Sequence, residues 1–180
     1  MINLLRLEKG VQTLCPDDNT ELINGVEYRK EELTEAEKDI VRNLHAMGAK
    51  IVLTKRPLDI LATPQESLAV PNMENTILRP EIAMTMKDTD FPAWVVEIVQ
   101  SHQEEAAYLI KPNLYMKAGV KQYWIIDSKR QVILDYHFEE DGLIPYIYDA
   151  PRRIKLIMYK ETFLSYTDIF KSRDSEKAAE

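Results

Sequence analysis

The stretch Trp94-Val95-Val96-Glu97-Ile98-Val99 is apolar throughout except for one carboxylate. A run this short and this rich in β-branched and aromatic residues suits a central strand covered on both faces, which requires layers above and below it. Strand side chains alternate, so Glu97 shares a face with Val95 and Val99, opposite Val96 and Ile98. A carboxylate buried there costs several kcal/mol (on the order of the transfer penalty for a charge) unless it is paired, hydrogen-bonded or bound to metal. Glu97 therefore either meets a nearby lysine or solvated patch, or serves as a ligand.

Around this strand the pattern alternates between helix and strand. Thr34-Glu35-Ala36-Glu37 fits a capping box, and Ile40, Val41, Leu44 and Met47 follow at helical spacing. Gly48 offers a left-handed residue to end that helix, leaving Lys50 to Thr54 as a short β-branched strand. Asn24-Gly25 marks a turn within Leu22 to Tyr28. Further strands are expected over 57–62, 81–86, 92–100, 123–127, 132–138, 143–148 and 154–159, with a loop over 63–75. Ser101-His102-Gln103-Glu104 repeats the capping pattern and should start a second helix, which Pro112 splits or kinks and Gly119 closes. Residues 167–170 pack the end of the chain. This order predicts one α/β domain over residues 1–170, a mixed sheet flanked by helices, followed by a polar tail over 171–180.

Two further residues could join Glu97. Glu81 follows Pro80 and opens the strand before Glu97's, so the two strands can be neighbours. Carboxylates on adjacent strands hold a Mg²⁺ ion if their nearest oxygens come within roughly 4 Å, each about 2.1 Å from the metal. Standing alone, Glu81 is an ordinary strand-edge charge. Lys111 lies on the next helix, where it is either a solvated lysine or a cation whose stem returns over the strand end to act on a phosphate.

Composition limits the alternatives. The formal charge of −7 argues against an overall basic nucleic-acid grip, although basic groups gather at Lys55-Arg56, Lys129-Arg130 and Arg152-Arg153 with Lys155. The single cysteine, Cys15, allows no internal disulfide, and no apolar run approaches the roughly 20 residues of a membrane span. A cytoplasmic protein is expected. His45, His102 and His137 lack ligand spacing such as H-x-x-x-H, which argues against a histidine-rich zinc site. Neither a P-loop, a G-x-G-x-x-G motif nor a G-x-S-x-G elbow is present. Trp94, Tyr115, Tyr123 and Trp124 read as core aromatics.

Taken together, Arg79-Pro80-Glu81, the Glu97 strand, Lys111 with Tyr115, and Gly119-Val120-Lys121-Gln122-Tyr123-Trp124-Ile125-Ile126-Asp127 resemble the Uma-type "putative restriction endonuclease" family, a branch of the PD-(D/E)XK nuclease superfamily. The resemblance covers about residues 77 to 138. It implies a restriction endonuclease-like core and a divalent-metal-dependent endonuclease acting on phosphodiester bonds in DNA. By the same resemblance, Glu81, Glu97 and Lys111 would be catalytic, and Glu81, Glu97 and the carbonyl of Ile98 would hold Mg²⁺ or Mn²⁺. A homodimer follows only by analogy with nucleases that cut both strands. The chain departs from the family in having Glu81 where Asp is usual, Gln100-Ser101-His102 after the strand, and Ala107-Tyr108 where an acidic residue commonly precedes the lysine. The acidic balance and the Asp-to-Glu change at Glu81 motivate a second expectation, a catalytically degenerate nuclease fold serving as a binding or assembly module.

Overall fold

A computed structural model describes residues 19–57, 59–62, 67–99 and 103–173 of the chain. Its centre is the expected strand, β7 (Trp94–Ile98), buried at every position. The strand order across the sheet is β10 (Tyr146–Tyr148), β9 (Val132–His137), β8 (Gln122–Asp127), β7, β6 (Ile82–Thr85) and β3 (Ile60–Ala62). Only β7 and β8 run parallel, with Glu97 opposite Ile125; the other neighbours are antiparallel, Ile82 facing Val96 between β6 and β7. A parallel pair needs a crossover. Here that crossover carries a π-helical turn (Ala106–Ile110) leading directly into α2 (Lys111–Lys117).

Each sheet face has its own apolar layer. Met84, Trp94, Val96, Ile98, Trp124 and Ile126 pack beneath α1 (Glu35–Lys55) and α3 (Tyr166–Ile169). Trp94 and Trp124 meet edge to face at 5.2 Å, a favoured aromatic geometry. On the opposite face Val95, Tyr123 and Ile125 pack with Ala106, Leu114 and Tyr115 of the crossover. The four aromatics expected in the core are wholly buried. A second sheet, ordered β2 (Val26–Arg29), β1 (Thr20–Ile23), β5 (Ile77–Leu78) and β4 (Leu68–Ala69), adds Ile23 and Leu78 to this second layer. The β1–β2 hairpin turns at Asn24 and Gly25, with φ of 51° and 82°; glycine meets that demand without steric cost. A third, two-stranded sheet pairs β11 (Arg153–Lys155) with β12 (Phe163–Ser165).

The capping box forms as expected: the Glu37 amide donates to Thr34 Oγ1 (3.3 Å) and the Thr34 amide to Glu37 Oε2 (2.8 Å). The helix end does not. α1 continues through Gly48 to Lys55, so Lys50 to Thr54 is helix and not strand. Gly48 serves packing instead, since a Cβ there would lie 3.0 Å from Leu61 Cδ2. The missing side chain lets α1 approach β3. The 154–159 strand is also shorter than expected, ending at Lys155, and the 63–75 loop contains β4. Pro112 stands in the first turn of α2, where its absent N–H costs little, and Gly119 ends the segment with φ 87°. Ser101 and His102 of the second capping pattern, Cys15, and residues 174–180 of the polar tail lie outside the described residues.

Candidate active site

Glu97, Glu81 and Lys111 come together beneath the crossover on the Val95 face of the sheet. They are 1 %, 2 % and 2 % exposed, and a third carboxylate, Glu21 from β1, joins them at 0 %. Lys111 Nζ lies 2.9 Å from Glu97 Oε2 and 2.7 Å from Glu21 Oε2. Tyr115, one helical turn beyond Lys111, donates its hydroxyl to Glu97 Oε1 at 2.7 Å. Residues four apart share a helix face, so α2 grips both Glu97 oxygens from one side.

Glu81 arrives by another route. Its backbone amide closes the β6–β7 ladder on Val96 O (3.0 Å). Its side chain then extends the ladder by accepting from the Ile98 amide at Oε2 (2.7 Å). That bond satisfies a buried strand-end donor and turns the carboxylate toward Glu97. Of Ile98, therefore, it is the amide that meets Glu81.

A fifth group completes the cluster. Lys30, just past β2, donates to Glu81 Oε1 and to the carbonyl of Arg79 (2.6 Å), and its Nζ lies 3.5 Å from Glu97 Oε2. The main chain of Arg79 also donates to Glu21 Oε1 (2.8 Å), tying Arg79-Pro80-Glu81 to the hairpin. With a side chain 11 % exposed, Lys30 is the member nearest solvent. It lines a cleft of about 670 Å³ with Asn19, Tyr28, Glu31 and Gln103.

The two central carboxylates titrate in opposite directions. Burial pushes the Glu81 carboxyl above the usual range, and Lys30 offsets this only in part, with the Glu97 charge adding to the rise. Burial acts on Glu97 as well, but Lys111, Lys30 and the Tyr115 hydroxyl outweigh it and hold its carboxyl below the usual value. Lys111 is desolvated yet keeps its proton more firmly than usual, because Glu97 and Glu21 face it. Neighbouring carboxylates whose environments drive their pKa values apart are a common property of reaction centres.

Glu21 and Lys30 escape sequence reasoning for different reasons. Alternation places Glu21 on the same strand face as buried Ile23, a signal that was present but lay at the margin of a short, weak strand. Lys30 carries no local signal, since only the fold of the hairpin over Arg79 brings it to Glu81.

A hard divalent ion is the group that the fold family implies between Glu81 and Glu97. The donor chemistry suits it: both carboxylates offer oxygen atoms, and a cation, the Lys30 ammonium, already bridges them. A mixed sheet with a parallel central pair, a crossover helix and a buried carboxylate–lysine cluster define a restriction endonuclease-like fold. A crystal structure of a "putative nuclease belonging to DUF820" from Anabaena variabilis matches it with a TM-score of 0.69, covering 84 % of this chain and 89 % of that one at 17 % identity. The model of the Uma2 family, described as "Putative restriction endonuclease", matches residues 8–158, and the chain belongs to that family. No curated protein sequence matches it significantly. No helix among the described residues is long and apolar enough to cross a membrane.

Proposed function

We propose that this chain hydrolyses phosphodiester bonds in DNA with a divalent metal held at Glu81 and Glu97, the Ile98 carbonyl serving as a third protein ligand. The observation that carries this reading is the convergence of Glu81, Glu97 and Lys111 in one buried cluster. Bound Mg²⁺ or Mn²⁺ would supply a water of lowered pKa and a Lewis acid for the phosphate oxygen. The protein's own groups do the rest. Tyr115 and Lys111 fix the two Glu97 oxygens from one side, which holds the carboxylate in one orientation. Lys111 brings a proton-bearing cation to the place where charge builds on the phosphate, and a preorganised charge in a dry site is worth far more than one in water. The test is nicking of supercoiled plasmid in Mg²⁺ or Mn²⁺, expected for the native chain and lost in both Glu97→Ala and Lys111→Ala. Undiminished nicking in either variant would remove the mechanism.

One observation favours the second reading, a nuclease fold retained as a binding or assembly module. Lys30 stands between the two carboxylates, where its ammonium faces both without metal. Glu81, longer by a methylene than the family's usual Asp, reaches that lysine. Calorimetric titration with Mn²⁺ separates the two: saturable binding that Glu97→Gln removes supports the nuclease, and a titration that Glu97→Gln leaves unchanged supports the module.

A further inference from the structure

Two strands over from Glu97, the end of β9 presents a different set of ligands. His137 is 6 % exposed, and its Nε2 faces Asp135 Oδ2 at 3.0 Å. Asp135 is itself buried, and its Oδ1 accepts from the Gln122 side-chain Nε2 (2.9 Å), so it is fixed in place. The other ring nitrogen, Nδ1, is buried without a hydrogen-bond partner. The chain then folds back over it: the amides of Glu140 and Asp141 both donate to His137 O, at 3.1 and 2.8 Å. This turn sets Glu140 Oε2 3.6 Å from Nδ1. One ligand atom each from His137, Glu140 and Asp141 lie within 4.8 Å of one another.

We infer that His137 Nδ1, Glu140 and Asp141 form a binding site for a divalent transition-metal ion, with Zn²⁺ the best match. Imidazole with carboxylates is a zinc-type donor set, with bonds of about 2.0–2.2 Å; two ligands on one tetrahedral ion then stand about 3.4 Å apart. The 3.6 Å between Nδ1 and Glu140 Oε2 is already close to that spacing, and an Asp141 carboxylate oxygen lies within 4.8 Å of both. The surroundings resemble the outer shell of a metal site. A carboxylate on the far nitrogen of a ligating histidine fixes its tautomer and raises its basicity, and Asp135 stands there. Tyr146 donates to Asp141 Oδ2 (2.9 Å) and packs its ring 4.8 Å from the imidazole. An ion here would clamp the 138–145 turn and the edge strand β10 to β9, leaving a fourth position open to water. A single histidine with two carboxylates is a set that a search for paired histidines passes over.

The test uses Co²⁺, whose visible absorption reports coordination, together with calorimetric titration by Zn²⁺. Both are run on the full chain carrying Glu97→Gln, so that binding at the Glu81–Glu97 cluster does not contribute. One equivalent of Zn²⁺ and a Co²⁺ absorption band of four- or five-coordinate type are expected, with affinity falling at least roughly tenfold when Glu140→Gln and Asp141→Asn are added. The turn substitutions spare the buried histidine, and each titration is run below the melting transition of the Glu97→Gln chain, with folding checked by circular dichroism and the turn substitutions repeated with Glu97 intact. Absence of Zn²⁺ uptake would overturn the site, as would unchanged affinity in the added variants. So would nitrogen-15 spectra showing both His137 ring nitrogens protonated in the presence of Zn²⁺, for the imidazole would then simply bridge Asp135 and Glu140 as a cation. None of these outcomes bears on phosphodiester hydrolysis, which is read separately with Glu97 intact.

Discussion

The ammonium of Lys111 sits 2.9 Å from the carboxylate of Glu97, in a place where neither side chain reaches water. Each makes the other's burial tolerable. Removing one partner of a buried pair costs about 3–5 kcal/mol, because it leaves an uncompensated charge. Lys111→Met should therefore destabilise the chain by roughly that amount in urea unfolding, since Glu21 loses its ammonium too. Combining Lys111→Met with Glu97→Gln should cost clearly less than the two single changes together. Strict additivity would mean that the pair is not coupled.

The opposite shifts of Glu97 and Glu81 give a pH dependence with a defined sign. Glu97 titrates below its unfolded value of 4.5, so its stabilisation is present above that pH and disappears as pH falls through the folded value. Glu81 titrates above 4.5, so its contribution is full below that pH and fades as pH rises through the folded value. The two slopes lie on opposite sides of pH 4.5, so together these groups favour the native chain most near that pH. In Glu97→Gln the first is gone: its melting temperature should fall well below the native one at pH 7, and the gap should narrow steadily from pH 4.5 downward. A constant gap across that window would contradict the assignment.

Lys30 competes for the position that a metal would take between Glu81 and Glu97. In Lys30→Met, Mn²⁺ affinity measured by electron paramagnetic resonance should rise by about tenfold, or roughly 1.4 kcal/mol. The metal-free variant should be less stable than the native chain, since Glu81 loses its ammonium partner. Added Mn²⁺ should restore much of that loss. Unchanged affinity would show that Lys30 yields the position at no cost.

Gly48 supplies a test of packing remote from the charges. Valine there would drive β-branched carbon into Leu61, whose Cδ2 stands 3.0 Å from an added Cβ. Overfilling of this kind costs about 1–3 kcal/mol. Gly48→Val should lower stability by that much in urea unfolding, although valine is the better helix former.

How much of this was legible in the sequence depended on whether the signal was local. The β7 strand, the Asn24-Gly25 hairpin turn and the Thr34 cap are local, and each forms where its residues indicate. Glu97 stood out as a charge in an apolar run, whereas Glu81 and Lys111 looked like ordinary charges locally and were singled out only by the family resemblance; the fold brings the three together. Gly48 misled because glycine both ends helices and lets them approach a neighbour, and nothing nearby distinguishes the two uses. Glu21 and Lys30 owe their positions to contacts with residues 50 or more places away. No window along the chain contains the Lys30 contact, whereas for Glu21 the alternation with Ile23 marks the buried face but not the partner.

The π-helical turn before α2 has a consequence for how this protein can vary. Its i to i+5 bond, from the Lys111 amide to Ala106 O, places one more residue in the turn than an α-helix would. Removing one residue here would let the turn revert to α-helical i to i+4 bonding with both flanks in place, whereas adding one would rotate Lys111 and Tyr115 together by about 100° off the carboxylate they share. Chain length here is thus an alignment setting with one residue of slack in a single direction, so a one-residue deletion should be tolerated far better than a one-residue insertion.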